Sequence, residues 1–300
     1  MNNNSLIQIL GTTSSGKSDL AVDLAIYLQK QGFRTLIISC DSRQIYKELD
    51  LGTGKILGQH IIEEDLGIDT FRYRSIDHLL IDYVSLEDDY SLYQYLNDYL
   101  ELIQKTKDKI DYYIVTGGTG LYAKAIYEEY QVGIYQDDCN NYSNHSLEDL
   151  QKELNQADFN NSDWQNPRRL IARIKSQSQK TLSKKLNYPN FKNKYKFIIK
   201  HNQELTTKRI LDRITSRIEQ GMLTEIEKIF VKYGYTKLVA LGLEYKYGAY
   251  FCYGFITQQE FINLLNQATT KYLKRQLTWL RKEKDSTYIN NLRDLTKMLI

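Results

Sequence analysis

The stretch Gly11-Thr12-Thr13-Ser14-Ser15-Gly16-Lys17-Ser18 decides the fold of this chain. It fits G-x-x-x-x-G-K-[ST], the pattern of a phosphate-binding loop. The apolar run 6–10 before it is typical of a buried strand, and an apolar stripe at helical spacing begins after it. Strand, loop and helix thus follow one another in the order that this loop needs. The stretch predicts a bound phosphate or diphosphate, without requiring a nucleoside.

The loop also predicts how this ligand is held. Its glycines let backbone N–H groups turn toward an anion, and the N-terminus of the following helix adds partial positive charge. We expect all of residues 11–18 to contribute to phosphate binding, with Lys17 reaching the phosphates. The Ser18 hydroxyl is the candidate ligand of a Mg²⁺ ion. The alternative is a glycine-rich turn without a ligand, which the matching order of strand, loop and helix disfavours.

The composition is that of an ordinary globular chain, with 42% hydrophobic and 26% charged residues among 300. This length suits one large domain or two unequal ones. No apolar stretch reaches the ~18 residues of a membrane span, and the N-terminus lacks a secretory pattern. Cys40, Cys139 and Cys252 are too widely spaced to indicate a disulfide framework or a zinc site. We therefore expect a cytoplasmic monomer without a membrane partner.

Charge is divided unequally along the chain, although the net charge is only +3. Residues 1–165 contain 13 Lys and Arg against 27 Asp and Glu, a balance of −14. Residues 166–300 contain 27 against 10, a balance of +17. A strongly basic half indicates a polyanionic partner. The alternative is that the two halves pack together and compensate each other.

Strand and helix patterns alternate over the first 130 residues. Strands are predicted at 6–10, 34–39 and 111–116, and helices after Lys17, over about 91–106 and after Gly120. The stretch from the second strand to about residue 75 is expected to be rich in loops. The alternation predicts an α/β fold of the P-loop NTPase type, with a parallel sheet flanked by helices. Such sheets bind ligands at the carboxyl ends of their strands.

The chain changes character after residue 130. Residues 131–165 are acidic and rich in Asn, and three leucines at helical spacing predict a small helical insertion. The basic part that comes next is predicted to be helical, with one strand that returns to the sheet. The strand is expected at residues 196–199, and two helices are expected at about residues 205–234 and 257–283. We therefore expect a core of residues 1–130 plus 166–300, interrupted by the insertion.

Several polar residues are placed near the predicted carboxyl ends of the strands. Asp41 follows the second strand, where its carboxylate suits a proton acceptor, although an Asp there also commonly caps a helix. Gln44 has the donor and acceptor needed to bind a nucleobase edge. Thr119, in the glycine-rich turn 117–120, has a hydroxyl suited to contacting phosphate or substrate. His78 suits a general base, a metal ligand or a structural hydrogen bond, of which we favour the last.

Two basic segments are candidates for binding a polyanion. The first is Arg168, Arg169 and Arg173, which follow a proline suited to a first helical turn. The second is a predicted helix with one basic side, formed by Lys271, Lys274, Arg275 and Lys282, and one apolar side, formed by Leu273, Leu277 and Leu280. Tyr272 and Trp279 beside these basic residues suit base stacking. An isolated basic helix is more often a solvated surface.

In order and spacing, these motifs resemble the tRNA dimethylallyltransferase family over nearly the whole chain. The most specific are Asp41-Ser42-Arg43-Gln44-Ile45-Tyr46 and Lys274-Arg275-Gln276-Leu277-Thr278-Trp279. The others are the phosphate loop, Leu51–Lys55, His78–Asp82, Gly117–Tyr122 and Asn166–Arg169.

The resemblance implies transfer of a dimethylallyl group from dimethylallyl diphosphate to the exocyclic amine of the adenosine 3′ to the anticodon in tRNA. By analogy, Asp41 would hold and deprotonate the amine, Thr119 would contact the substrate, and Lys17 would bind the leaving diphosphate. Contacts to the tRNA anticodon stem-loop are implied for Asp41, Ser42, Arg43, Gln44, Thr119, Arg168, Arg169, Arg173, Lys271, Lys274 and Arg275. The insertion 131–165 would contact the anticodon stem.

The chain departs from the family's pattern at three places, which bear on tRNA contact more than on the chemistry. Arg173 is displaced by one position, which is about 100° of rotation on a helix. Asp77 stands where the family has the first His of a pair. The segment Gly242-Leu243-Glu244-Tyr245-Lys246 differs from the family's Gly-Tyr-Lys/Arg-Glu.

Three other functions remain open. A small-molecule kinase on the same core would use Asp41 as the base for a substrate hydroxyl, but it would not need a strongly basic half. A second alternative is transfer of the prenyl group to free AMP or ATP. A third is an RNA-binding protein without activity, which the intact Lys17, Ser18 and Asp41 disfavour.

Overall fold

The structure, a computed structural model, describes residues 4–132, 142, 145–159, 161–178 and 185–299. For residues 161, 162, 168, 175–178 and 203 it describes the backbone alone. The chain divides into two compact units. The core unit comprises Met1–Glu129 and Tyr188–Ile300, and the insertion unit comprises Tyr130–Asn187.

The strands and helices follow in chain order. The strands are β1 (Ser5–Leu10), β2 (Thr35–Ser39), β3 (Gln59–Glu63), β4 (Ile68–Tyr73), β5 (Ile76–Leu79), β6 (Tyr112–Thr116), β7 (Asn193–Ile199) and β8 (Thr287–Ile289). The helices are α1 (Lys17–Lys30), α2 (Leu92–Thr106), α3 (Gly120–Tyr127), α4 (Leu147–Lys152), α5 (Asn161–Trp164), α6 (Pro167–Ser178), α7 (Gln203–Glu219), α8 (Met222–Leu241), α9 (Leu243–Cys252), α10 (Gln258–Leu280) and α11 (Leu292–Thr296).

The strands of the core unit form one sheet in the order β3-β4-β5-β2-β6-β1-β7-β8. From β5 to β8 every neighbouring pair is parallel. The central strand β1 is buried along its whole length, because its apolar residues are covered on both faces. The α/β fold with a parallel sheet and flanking helices is thus confirmed. The strand predicted at 196–199 is also confirmed, since β7 pairs with β1.

The expectation of a loop-rich stretch up to about residue 75 is wrong for residues 59–73. These residues form an antiparallel pair, β3 and β4, which we call the 59–73 hairpin. The hairpin joins the sheet through β5, which is antiparallel to β4. Its strands lack a buried apolar run because β3 lies at the sheet edge and is largely exposed.

The helix predicted at about 205–234 is divided by a glycine into α7 and α8, whereas the helix predicted at about 257–283 is a single helix, α10. Gly221 has a left-handed backbone, φ 103°, and separates α7 from α8. Gly234, φ 76°, kinks α8 within the predicted range. Helices α8, α9 and α10 build a second apolar core, in which Ile226, Tyr245 and Phe261 are almost fully buried. This core also takes in Ile45 and Leu49, and so it supports the loop that comes after β2.

The insertion unit contains α4, α5 and α6. Ser146 caps α4 through a capping box with Asp149, as expected for a helix that starts at Leu147. The unit extends beyond the expected boundary at 165, because Leu170 and Ile174 of α6 pack with Leu150 of α4. The helix starting at Pro167 therefore belongs to the insertion unit and not to the core. Within the described ranges, no helix combines the length and apolarity that crossing a bilayer requires.

Candidate active site

The carboxyl ends of β1, β2 and β6 open onto one cavity of about 870 Å³. The three polar motifs at the ends of these strands all contribute to its wall, as expected for a parallel sheet. Helix α7, the start of α9 and the inner face of α10 contribute the opposite residues. The lining includes Thr13, Ser14, Gly16, Lys17, Ser18, Asp41, Ser42, Arg43, Gln44, Gly117, Gly118 and Thr119.

The phosphate loop has the backbone expected of an anion-binding turn. Gly16 has φ 83° and precedes α1, so the loop enters the helix through a conformation that favours glycine. Gln276 of α10 fastens the loop by accepting a hydrogen bond of 2.8 Å from the Thr13 N–H. The buried hydroxyls of Thr12, Ser14 and Ser15 have no protein partner within the described part of the chain. Such unpaired groups suit an anionic ligand, because burial without a partner is costly.

Lys17 lies at the N-terminus of α1 with its ammonium group in the cavity wall. Its Nζ donates a hydrogen bond of 3.3 Å to the Thr12 carbonyl. Burial lowers the pKa of Lys17 below its ordinary value, the negative charge of Asp41 opposes this shift, and the positive charge of Arg213 adds to it. A bound anion would therefore offset a charge that the cavity itself leaves poorly compensated.

Backbone N–H groups from two strand ends hold the Asp41 carboxylate. Its Oδ1 accepts hydrogen bonds from the N–H of Arg43 at 2.9 Å and of Gln44 at 3.4 Å. Its Oδ2 accepts one from the N–H of Gly118 at 3.0 Å. The residues directly after Asp41 form a turn and not a helix, so the carboxylate stabilises that turn and the helix-capping alternative is wrong. A carboxylate has about four lone-pair sites, so acceptor capacity remains for a ligand.

The neighbouring polar side chains are also fixed. Thr119 Oγ accepts a hydrogen bond of 2.9 Å from the N–H of Ser42 and donates one of 3.0 Å to its hydroxyl. Gln44 Nε2 donates to the carbonyls of Thr53, at 3.3 Å, and Gly54, at 3.2 Å. These bonds orient both side chains before any ligand binds.

Helix α7 adds arginines that were not predicted from the sequence. Arg209, Arg213 and Arg217 are spaced by four residues, so they share one face, and that face lines the cavity. Arg213 donates a hydrogen bond of 2.8 Å to Thr13 Oγ, and Arg217 donates one of 3.4 Å to the Gly52 carbonyl. Burial, together with the positive charge of Arg213, lowers the pKa of Arg217 to about 10. The spacing is visible in the sequence, but nothing there places it opposite the phosphate loop.

The model of the IPP transferase family matches residues 44–283. This chain belongs to the IPP transferase family. It is 33% identical over 301 residues to tRNA dimethylallyltransferase 2 of Treponema denticola, and the aligned region covers 95% of this chain and 94% of that protein. It is 32% identical over 291 residues to tRNA dimethylallyltransferase 2 of Shewanella sediminis, and the aligned region covers 94% of this chain and 90% of that protein.

Solved structures show the same fold. The full-length tRNA isopentenylpyrophosphate transferase of Bacillus halodurans superposes with a TM-score of 0.66 at 24% identity, over 96% of this chain and 90% of that chain. At this level of identity the likeness concerns the fold of the IPP transferase and not individual residues.

His78 of this IPP transferase has a structural place. Its ring is buried in β5, with Nδ1 3.0 Å from the Ile76 carbonyl, and it is not part of the cavity wall. Burial lowers the pKa of His78 to about 4. The ring is therefore neutral near pH 7, which agrees with the structural interpretation.

Helix α10 of the IPP transferase has one exposed basic side and one side that faces the cavity. Lys271, Lys274 and Arg275 are exposed, while Leu273 and Leu280 are buried. On the cavity side, Tyr272 donates a hydrogen bond of 3.1 Å from its hydroxyl to the Gly118 carbonyl. The Trp279 ring lies so close to Gly120 that a Cβ there would approach within 2.9 Å. The division into two sides is as expected, whereas the contacts of both aromatic residues are new.

The basic residues expected near Pro167 lie in the insertion unit. Arg169 forms an ion pair with Asp163, and Arg173 lies one turn further along α6. The side chain of Arg168 lies outside the described part of the chain.

The donor set of the IPP transferase fits a magnesium ion that is bound chiefly through a substrate. Within the described ranges, no cluster of three or more His, Cys, Asp or Glu side chains is suited to hold a metal ion. Ser18 lies in the cavity wall, in the same 11–18 stretch as the three unpaired loop hydroxyls. Magnesium commonly keeps several waters and binds through few protein oxygens plus substrate phosphates. One hydroxyl beside a phosphate site therefore fits this ion.

Proposed function

We propose that this IPP transferase transfers a dimethylallyl group from dimethylallyl diphosphate to the exocyclic amine of the adenosine 3′ to the anticodon in tRNA. One observation carries the proposal: the phosphate loop and the fixed Asp41 carboxylate line the same cavity. This pairing suits a reaction in which an anion leaves and an amine loses a proton. The names of the relatives, tRNA dimethylallyltransferase, support the choice of reaction.

The reaction balances with the groups at hand. The bond between the allylic carbon and the diphosphate oxygen breaks, and diphosphate keeps the electron pair. The adenine nitrogen forms a bond to that carbon and loses a proton, which Asp41 accepts. Because the allylic carbon tolerates positive charge, the amine needs orientation more than strong activation.

The donor is held by positive charge around the loop. The N–H groups of residues 11–18, Lys17 and Arg213 would surround the diphosphate and stabilise its developing charge. A Mg²⁺ ion, held by Ser18 and diphosphate oxygens, would supply further positive charge to the leaving group. The α1 N-terminus acts in the same direction.

The acceptor would enter from the side of Gln44 and Thr119. An enzyme that modifies a single base takes it out of the stack, so the adenosine would be extruded into the cavity. Gln44 would contact the base edge, with Ser42, Arg43 and Thr119 around it. We assign contacts with the anticodon stem-loop to Lys271, Lys274 and Arg275 on α10 and to Arg168, Arg169 and Arg173 on α6. The insertion unit would contact the anticodon stem.

We infer that the enzyme works as a cytoplasmic monomer. Cys40 and Cys252 are free thiols, which supports a reducing compartment.

Incubation of the protein with labelled dimethylallyl diphosphate, Mg²⁺ and unmodified tRNA, followed by nucleoside analysis, tests the proposal. We expect the label in an adenosine of the tRNA. Parallel reactions with ATP as donor, and with AMP as acceptor, test the kinase and the mononucleotide transferase. Consumption of ATP without use of the prenyl donor, or faster labelling of AMP than of tRNA, would show that the proposed function is wrong.

A further inference from the structure

The 59–73 hairpin places a histidine beside the residues that build one wall of the cavity. His60 lies on β3, opposite Phe71 of β4, and its ring packs edge-on against the Phe71 ring. His60 Nδ1 lies 3.0 Å from Asp69 Oδ2, and Nε2 lies 2.9 Å from Asp82 Oδ2. One imidazole thus bridges two carboxylates. Both ring nitrogens can donate at once only when the ring is protonated.

Asp82 links this bridge to a buried lysine. Its Oδ2 contacts His60, and its Oδ1 pairs with the ammonium group of Lys55. The Lys55 side chain is 1% exposed and also donates to Asp50 Oδ1 at 2.6 Å and to the Tyr46 carbonyl at 2.7 Å. A buried ammonium depends on such partners, because removing one leaves charge uncompensated. Asp82 therefore cannot shift toward or away from the hairpin without changing how Lys55 is held.

Lys55 and Asp82 in turn hold the wall that contains Gln44. The Asp82 N–H donates a hydrogen bond of 2.9 Å to the Gln44 carbonyl. The Gln44 side chain donates to the carbonyls of Thr53 and Gly54, the two residues directly before Lys55. Gln44, Thr53, Gly54 and Lys55 all line the cavity. A continuous chain of contacts therefore runs from the hairpin to the side chain that we assign to base recognition.

We propose that His60 is a positioning residue for the acceptor base. By bridging Asp69 and Asp82, it holds residues 44–55, which we call the 44–55 wall, in the conformation that binds the base. This inference rests on the proposed function, because it concerns how the tRNA substrate is bound. His60 itself does not line the cavity. The proposed donor site centres on the phosphate loop and Arg213, which contacts the loop through Thr13. Arg217 of α7 contacts the wall at Gly52, so we expect donor binding to depend on the bridge much less than tRNA binding does.

The bridge depends on pH in a defined direction. The ionisable groups next to His60 are Asp69 on β4 and Asp82 after β5, with Lys55 and Asp50 behind Asp82. Partial burial lowers the pKa of His60, but hydrogen bonds to Asp82 and Asp69 and their negative charges outweigh it, and the pKa is raised above 6.5. The protonated bridge is therefore complete below the ordinary pKa of histidine and is lost as the pH rises through the raised value.

Steady-state kinetics of His60→Gln with both substrates, from about pH 6 to about pH 9, test this role. We expect the KM for tRNA to rise about fivefold near pH 6, while kcat and the KM for dimethylallyl diphosphate stay within about twofold. The difference from the unmodified protein should vanish near pH 9, where His60 is neutral and the protonated bridge is lost. Glu63→Gln is the matched control, because it weakens an ion pair with Arg72 on the same hairpin without touching Asp82.

Three results would overturn the inference: a tRNA effect that is the same at every pH, an equal effect on the donor KM, or an equal effect of Glu63→Gln. The His60 ring resonances, followed by NMR during a pH titration, give a readout that needs no activity. They should report a pKa above 6.5 that falls in Asp69→Asn, and a pKa at or below 6.5 would contradict the bridge. Absence of product from the unmodified protein would refute the proposed function, and the inference with it.

Discussion

Three backbone N–H groups hold Asp41 before any substrate arrives, and two strand ends supply them. The carboxylate is therefore preorganised, which is what a base needs in order to accept a proton from a positioned amine. Asp41→Ala should lower kcat by about 10²- to 10⁴-fold, the usual contribution of general base catalysis. Affinity for tRNA should change little, because phosphate contacts supply most of it. Single-turnover prenyl transfer and a tRNA binding titration measure the two effects.

Asp41→Asn is the matched variant for this prediction. Its amide oxygen can still accept from Arg43 and Gln44, but its amide nitrogen cannot accept from Gly118 or take up a proton. It should be as inactive as the alanine variant while keeping more of its stability. A normal rate with either variant, or a loss of tRNA affinity that accounts for the whole defect, would contradict the assignment of Asp41 as base.

At the scale of residues, the sequence predicts positions that local chain order determines. Asp41 and Thr119 each come after a recognisable buried strand, so their place at the carboxyl edge was predictable. Arg213 was not, because its contact with Thr13 joins residues 200 positions apart. The bridge by His60 was not predictable for the same reason, because its partner Asp82 lies 22 residues further along the chain. The strands β3 and β4, which bring the two residues together, lie in the stretch that the sequence predicts as loop. Long-range partners become visible only once the elements are packed.

At the scale of elements, α7 acts as a row of positive charge opposite the phosphate loop. Arg213 is the member that touches the loop, through Thr13, and its Nε has no partner within the described part of the chain. Arg213→Gln should lower kcat/KM for dimethylallyl diphosphate about 10- to 100-fold, since hydrogen bonds to charged groups contribute about 1.5–3 kcal/mol. Initial rates at saturating tRNA and varied donor concentration measure this change.

Lys208→Gln is the control for the α7 prediction, because Lys208 is exposed on the same helix and does not line the cavity. It removes the same charge and should leave the donor kinetics unchanged. If both variants behaved alike, the overall charge of α7 would matter and not the contact with the loop. If Arg213→Gln affected only the KM for tRNA, the donor assignment would be wrong.

The elements themselves were predictable where burial leaves a pattern. β1, β2 and β6 are almost entirely buried, and buried parallel strands appear as continuous apolar runs. The 59–73 hairpin could not be predicted from the sequence, because its edge strand β3 is mostly exposed and contains no apolar run. The helix breaks at Gly221 and Gly234 could not be predicted either, because a glycine inside a helical sequence pattern does not by itself indicate a positive φ angle.

At the scale of the whole molecule, the acidic and basic halves compensate only in part. Within the core unit, Lys194 pairs with Glu129 and Lys232 with Glu87, so some charge is neutralised between the halves. The exposed side of α10 keeps Lys271, Lys274 and Arg275 available for a polyanion.

The division into units was only partly predictable. The insertion was recognisable by its acidic composition, but its end was not, since α6 is as basic as the core that comes after it. Its membership in the insertion unit is decided by Leu170 and Ile174, which pack on Leu150. Composition reports charge, whereas unit boundaries depend on burial.

Binding of tRNA should weaken steeply with added salt, because each neutralised phosphate releases counterions. The double variant Lys271→Gln/Arg275→Gln should reduce the slope of log K against log salt by about 1.5, at about 0.7–0.9 per phosphate contact. Arg293→Gln/Lys297→Gln at α11 removes the same charge from another exposed surface and should leave the slope unchanged. Equal slopes for both double variants would mean that only the net charge attracts tRNA, and that α10 makes no specific phosphate contact.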